Sequence, residues 1–409
     1  MKEFFKVTDL ASVKALAEDF SPVGVESVPL STAAGRILAE DIAADHNLPA
    51  FSRSTMDGYA VHAASTFGAS ESSPAYLIVK NTILMGTPPL FTIGPGEAAR
   101  ISTGGMLPKG SNSVVMIEHT DKLDDKTIEV YRSVAPGQHI IEMGEDFQQG
   151  QIVIRPGQRL RPQETGLLAA FGHETVRVFK RPEIAIISSG DEIVPIDSTP
   201  AMSQIRDINS YTLAGLITEA GGSPVPYGIV PDSYDALFRT CSDALAQSDM
   251  VLISGGSSVG TRDFTIDVLA NLPDSQILVH GISIRPGKPT ILAKIGTKAI
   301  WGLPGHVVSA MVVLRVVVQP FIARAAGMTL PFQPAIAIPA RLTRNIESAQ
   351  GRTDFVRVRL EMKNGEYRAE PVLGKSGLLN TMVKADGLIE IDAHTEGLDS
   401  GAAVAVMPL

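Results

Sequence analysis

Three short apolar runs, Ile184–Ile187, Val225–Val230 and Met250–Ile253, constrain this chain more than any other feature. None alternates apolar with charged residues, so none suits a strand with one face in water. Runs of this length suit strands buried on both faces. Helical stretches at Tyr211–Ala220 and Asp235–Gln247 separate them. Strands alternating with helices build βαβ units around a parallel sheet, so this region reads as a three-layer α/β domain. A helix over about 306–326 closes it.

The chain has 409 residues, more than one hydrophobic core usually serves, and roughly two to three domains are expected. An opening helix follows Thr8 as N-cap, with Leu10, Val13, Leu16 and Ala17 as its apolar stripe, and a second helix is expected over Thr32–Glu40. From 46 to 145, short strands (Tyr76–Val79, Ala98–Ile101, Val114–Glu118, Thr127–Tyr131) alternate with Gly/Pro turns, which reads as a β-rich domain. Residues 163–171 return to helix. After Pro331 and Pro334 alternation resumes, as in Phe355–Leu360, and the tail reads as a small β-barrel or sandwich.

Charge and cysteine usage exclude several function classes. Lys and Arg number 35 against 44 Asp and Glu, a net charge of −9, which argues against non-specific binding to nucleic acid or anionic membranes. The single cysteine, Cys241, allows no internal disulfide and no cysteine-cluster metal site, and reads as packing. The opening MKEFFKVTDL turns polar too soon for a signal peptide. The apolar run Val307–Ile322 is interrupted by Arg315 and Gln319-Pro320 and reads as too short to span a bilayer. A cytoplasmic protein is expected.

Two strand exits carry unusual loops. Ser188-Ser189-Gly190-Asp191-Glu192 follows the first apolar run, and Ser254-Gly255-Gly256-Ser257-Ser258-Val259-Gly260-Thr261-Arg262-Asp263 follows the third. In an open parallel sheet ligands bind outside the carboxyl ends of the strands. Glycines admit a phosphate close to the backbone, serines add donors, and a carboxylate can hold a metal or a ribose hydroxyl. Two ordinary turns are the plainer alternative. The turn Arg285-Pro286-Gly287-Lys288-Pro289 offers two cations to a tetrahedral oxyanion. Leu303-Pro304-Gly305-His306 opens the closing helix, where His306 reads as a helix-start residue. The β-rich part adds Ser54–Ala60, with Asp57 in a turn, and Ser102–Pro108, with Thr103, then Glu118 and Gly144-Glu145-Asp146.

Seven motifs follow one another along the chain: STMDGYAV (54–61), RISTGGMLPKG (100–110), GED (144–146), ISSGDEIV (187–194), ISGGSSVGTRDF (253–264), IRPGKP (284–289) and LPGHVVSA (303–310). In this order the chain resembles the molybdopterin molybdenumtransferases, the MoeA family that includes the E domain of gephyrin. The resemblance implies four parts: an elongated segment (1–45 with 146–178), a β-rich insertion (46–145), a molybdopterin-binding α/β domain (179–327) and a C-terminal β-domain (328–409). It implies insertion of molybdate into adenylylated molybdopterin, with magnesium-dependent release of AMP. Asp57, Asp146, Glu192, Asp232 and Asp263 match the family's acidic positions, with Glu192 and Asp263 as metal ligands. Thr103, Ser189, Gly190, Asp191, Gly255, Gly256, Ser257, Ser258, Pro304 and Gly305 match the pterin site, and Arg285, Lys288, Arg352 and Ser376 the molybdate site. The same resemblance implies a homodimer whose active cleft is shared between chains. The upstream adenylyltransferase and recipient molybdoenzymes are implied as further partners.

The chain departs from the family where FSRSTMDGYA carries Ser52 and Arg53 in place of an Asp-Asn pair. It departs again at His306-Val307 in place of Asn-Pro, and at Arg285 in place of Lys. These changes leave open a tungstate-specific insertase or a non-catalytic molybdopterin-binding paralogue. The adenylyltransferase reading covers the α/β domain alone and leaves the flanking segments unexplained.

Overall fold

A computed structural model describes residues 7–255, 264–329 and 336–409. The chain forms two compact units. One contains the described residues up to Ala39, Pro156–Arg161 and those from Thr175 onward; the other contains Glu40–Arg155 and Pro162–Glu174.

The first unit is built on a six-stranded sheet in the order Ser223–Val230, Glu183–Ser189, Met250–Ser254, Lys298–Leu303, Ile291–Ile295, Ser275–His280. The first four strands run parallel. The last two are antiparallel additions, because Ile291–Ile295 turns back into Lys298–Leu303 through two residues, too few for a crossover. The sheet is therefore mixed at one edge, and parallel where the sequence indicated.

Alternation within each apolar run explains the layers. Ile184, Ile186, Met250, Leu252 and Trp301 point into one core, which also holds Leu213 and Ile217 of helix Asn209–Glu219. Ala185, Ile187, Val251, Ile253 and Ile300 point into the other, with Leu237, Cys241 and Ala244 of helix Tyr234–Gln247. Both faces are covered, which is why the runs contain almost no polar residue. Leu10, Val13, Ala17 and Phe20 of the opening segment join the first core.

The helix from Val307 to Ala325 corrects one expectation. It is continuous over 19 residues with mean hydropathy 1.7, long and apolar enough by composition to cross a membrane. Pro320 does not break it, because a π-helical turn, Leu314–Val318, directly precedes the segment that begins at Gln319 and puts the proline in its first turn. Burial decides its role: 78% of its most apolar window is covered by protein, as in a core helix.

Two further corrections lie near the start. The cap of helix Leu10–Ala15 is Asp9, whose Oδ1 accepts the Ser12 N–H at 2.8 Å, and not Thr8. Thr8 instead forms a bridge with Ile282. No helix covers Thr32–Glu40; a 3₁₀ turn ends at Thr32, Gly35 takes φ +80°, and Ile37 and Leu38 form bridges to Arg159 and Val178. A left-handed glycine stops the helix that the apolar spacing suggested.

The C-terminal strands form a closed five-stranded barrel. Ile338–Leu342, Thr353–Lys363, Glu366–Pro371, Gly387–Ile391 and Ala403–Pro408 pair in a ring that closes between Thr353–Lys363 and Gly387–Ile391. A further two-residue strand, Ile284-Arg285, joins the same sheet by pairing in parallel with Thr353-Asp354.

The second unit holds another six-stranded sheet, ordered Ser113–Met116, Gly58–Val61, Glu97–Ile101, Ala75–Thr82, Thr127–Val130, Thr120–Lys122. Alternate residues again feed two cores: Tyr59, Val61 and Val115 face one, Ala60 and Val114 the other. The strand expected to run through Glu118 ends at Met116, and Glu118 lies in a 3₁₀ turn. Helix Pro162–Ala170 belongs to this unit and leads to Phe171, which meets the rings of His46 and Phe147 edge-on.

Candidate functional site

In the first unit the strand exits converge. Ser189 Oγ donates to Asp232 Oδ1 at 3.0 Å, and the Asp232 N–H donates to Asp191 Oδ1 at 3.1 Å. The exits of Glu183–Ser189 and Ser223–Val230 are thereby tied to each other. Gly190 adds an N–H bond to Val230 O. Asp191 and the Ser189 hydroxyl are thus committed to shaping the loop. Glu192 stands exposed beside them, with its carbonyl accepting from Ile205 N.

The next exit lies against the first. Gly255 has φ +107°, and a Cβ there would sit 2.2 Å from Ser189 O, so only glycine lets the two loops touch. Asn209 fixes the third side: its Nδ2 donates to Ser254 Oγ at 2.5 Å and to Gly305 O at 2.9 Å. Asn209 is buried and was not picked out from the sequence. Its only signal there is an amide at the start of a helix. Gly256, Ser257, Ser258 and Asp263 lie outside the described residues.

Past buried Pro304 and exposed Gly305, His306 begins the closing helix. Its Nδ1 lies 2.9 Å from Ser376 Oγ, and Val308 N donates to Ser376 O. The helix-start reading therefore holds for its position. The imidazole additionally docks a loop of the barrel onto the strand exits.

A second cluster surrounds Asp354, which is 3% exposed. Arg352 forks onto it, Nε to Oδ1 at 2.8 Å and Nη2 to Oδ2 at 3.4 Å. Arg285 Nη1 approaches Oδ2 at 3.6 Å. The strand pair Ile284-Arg285 with Thr353-Asp354 brings these residues together. Arg357, also buried, donates from Nη2 to Gly374 O at 3.0 Å. Burial, and then the neighbouring Arg285 charge, hold its pKa below the usual arginine range. The segment 374–377 links both clusters, since Arg357 holds Gly374 and His306 holds Ser376. Lys288 is exposed on the same turn as Arg285, and its carbonyl accepts from Ile282 N. The sequence marks Arg352, but nothing in it signals Asp354 or Arg357, whose burial only the fold decides.

Asp57, Thr103 and Asp146 belong to the second unit. Asp57 Oδ1 accepts the Thr103 N–H at 2.8 Å and its hydroxyl at 3.3 Å, so this pair is a formed contact. Gly58 lets its strand pack closely on Ser113–Met116, because a Cβ there would lie 1.9 Å from Val115 O. Exposed Asp146 donates its N–H to Leu48 O. Ser52, one of the departures, accepts the Met143 N–H at 3.0 Å on its hydroxyl, and its carbonyl accepts from Leu107 N at 2.9 Å.

Among the described residues no group of three or more His, Cys, Asp or Glu side chains is set to enclose a cation. The donors at the strand exits are nevertheless hard carboxylate oxygens, the kind magnesium takes. Magnesium commonly uses one or two carboxylates and completes its shell with phosphate oxygens and water, and Glu192 suits that role.

Three family models match in succession: the MoeA N-terminal region (domain I and II) over residues 8–172, a probable molybdopterin binding domain over 185–324, and the MoeA C-terminal region (domain IV) over 339–409. The molybdopterin molybdenumtransferase of Bacillus subtilis is 33% identical over 386 residues, covering 93% of this chain and 89% of that protein. The chain belongs to the MoeA family. The molybdopterin molybdenumtransferase of Haemophilus influenzae is 32% identical and covers 98% of each chain. Among solved structures, the molybdopterin biosynthesis MoeA protein of Pyrococcus horikoshii OT3 aligns with a TM-score of 0.84 at 30% identity, over 99% of this chain and 100% of that one.

Proposed function

We propose that this protein is a molybdenum insertase, which takes adenylylated molybdopterin and molybdate, forms the metal-bound cofactor and releases AMP. The observation that carries this reading is the oxyanion cluster itself. Arg285 and Arg352 converge on one buried carboxylate, and Ser376, matched to the same site, is bonded to the residue that opens the closing helix. Relatives named molybdopterin molybdenumtransferase support it along nearly the whole chain.

The residues divide the work by chemistry. The glycine-lined exits at Gly190, Gly255 and Gly305 admit a pyrophosphate-linked pterin close to the backbone. Arg285, Lys288, Arg352 and Ser376 hold the tetrahedral dianion by charge and hydroxyl donation. Glu192 and Asp263 would hold magnesium, which supplies positive charge to a phosphoanhydride as it breaks. Asp232 keeps the Ser189 hydroxyl turned inward, and Asp57 orders the Thr103 turn. The protein acts in the cytoplasm as a homodimer, between an adenylyltransferase and recipient molybdoenzymes. Its division into segments 1–45 with 146–178, 46–145, 179–327 and 328–409 is part of the same reading.

The deciding experiment incubates purified protein with adenylylated molybdopterin, Mg²⁺ and molybdate and measures AMP. Molybdate-dependent AMP release is expected. Binding of the pterin without any AMP release overturns the insertase and leaves a carrier.

A further inference from the structure

His306 is one of the positions where the chain departs from its family, and its ring meets one side chain. Nδ1 lies 2.9 Å from Ser376 Oγ, and Nε2 has no hydrogen-bond partner among the described residues. The ring edge lies beside Gly377, where a Cβ would sit 3.8 Å from Cδ2. The imidazole is not alone in holding this loop. Val308 N donates to Ser376 O at 3.1 Å, Leu378 N to Lys375 O at 3.0 Å, and Arg357 Nη2 to Gly374 O at 3.0 Å. With the backbone fixed by bonds that bypass the ring, what the ring adds is control of one hydroxyl. A serine hydroxyl has a single hydrogen and can also accept. When that hydrogen goes to Nδ1, Oγ turns only lone pairs toward any other ligand, and lone pairs repel an oxyanion. When Nδ1 carries the hydrogen, Oγ accepts it and the hydroxyl hydrogen is free. The hydrogen bond made by one ring nitrogen sets which of the two is protonated. With Nε2 open to solvent, Ser376 makes that choice, and through Ser376 so does whatever its hydroxyl binds.

We propose that His306 is a positioning residue for the oxyanion: with the hydrogen on Nδ1 it donates to Ser376 Oγ and frees the hydroxyl hydrogen for the anion, so that anion binding selects the Nδ1–H form of the ring. The proton count is conserved, since a neutral ring takes a hydrogen from water at Nδ1 as Nε2 returns one to water. Asparagine, the family's residue at this position, always carries donor hydrogens on a nitrogen bonded to Cγ, as Nδ1 is. The chain has therefore exchanged a standing donor for one that the anion must select. This deepens the insertase reading and rests on its assignment of Ser376 to the oxyanion.

The test titrates the full-length protein with molybdate. In protein labelled with nitrogen-15 only at histidine, His306 is assigned among the eight histidines by its loss in His306→Asn. At about pH 8, where a free imidazole is neutral, molybdate should convert Nδ1 of His306 to a hydrogen-bearing nitrogen. A ring that keeps Nδ1 bare with molybdate bound overturns the proposal. Calorimetry supplies the second arm. His306→Phe, and His306→Gln with its amide nitrogen one bond too far, should each weaken molybdate about three- to tenfold. His306→Asn should bind it at least as tightly as wild type, because no fraction of the protein has to be converted first. In a Ser376→Ala background, His306→Phe should change molybdate affinity by less than about twofold. A ring that serves only packing gives the same loss with or without the Ser376 hydroxyl and no rescue by asparagine, and that result overturns the proposal. Should His306→Phe fail to fold, as judged by its thermal melt, the wild-type nitrogen signal decides. Wild type that binds no molybdate removes the oxyanion site, and this inference with it. Molybdate-dependent AMP release by wild type, with Ser376→Ala binding molybdate as wild type does, sinks this inference and leaves the insertase standing.

Discussion

Gly255 shows how much a single position can carry. Its left-handed φ and the 2.2 Å approach to Ser189 O leave no room for a methyl group. Gly255→Ala should cost about 1–3 kcal/mol in urea unfolding and should weaken pterin binding, because the two loops must separate; a variant as stable as wild type contradicts the close approach. Cys241 makes the opposite point. Its thiol is fully buried, and burial pushes its pKa up to about 12. The thiolate forms only as pH rises through that value, so at pH 8 the native protein should resist a thiol reagent that labels the unfolded chain at once. Rapid labelling of the native protein would show the helix to be open. Both features were partly legible: the sequence placed Gly255 in a phosphate-type loop and Cys241 in packing. Why only glycine fits at 255 required Ser189, 66 positions earlier.

Among elements, the strand exits depend on Asn209. Its amide joins Ser254 and Gly305, which belong to different crossovers. Asn209→Ala leaves a buried hydroxyl and a carbonyl short of a donor, and should cost about 1–3 kcal/mol. The melting temperature should fall, and pterin affinity with it; loss of stability with unchanged affinity would mean the loops hold their places without Asn209. Glu192→Gln lies in the exposed part of its loop, so it should leave the melt unchanged while abolishing AMP release. An active Glu192→Gln protein removes that carboxylate from the chemistry. The strands themselves were readable because burial on both faces writes itself into composition. The helix expected at Thr32–Glu40 was not, since apolar spacing there reflects bridges to Arg159 and Val178, partners that local sequence does not contain.

For the whole molecule, the homodimer reading carries its own test. Asp57→Ala and Glu192→Ala, each inactive alone, should complement when mixed and allowed to exchange subunits. Random pairing makes half of the dimers mixed, each with one intact site, so about a quarter of wild-type activity should return. No recovery after exchange is confirmed by mass would place both residues in the site of a single chain. A monomer in sedimentation equilibrium would end the dimer reading directly.

The sequence by itself determined the α/β layers, the β-rich character of the flanking regions and the loops at the strand exits. Those features follow from periodicity and turn chemistry, which act over a few residues. The tertiary structure alone decided which charges meet. Arg357 and Arg359 alternate with valines in VRVR, a pattern that reads as one solvent-facing row. Arg357 falls on the strand face that also carries Phe355 of the α/β core and is buried there, while Arg359 is exposed. Arg285 reaches Asp354 only through a two-residue strand pairing across 69 positions of sequence. Register between distant strands is set by the cores they enclose, and those cores exist only once the chain has folded.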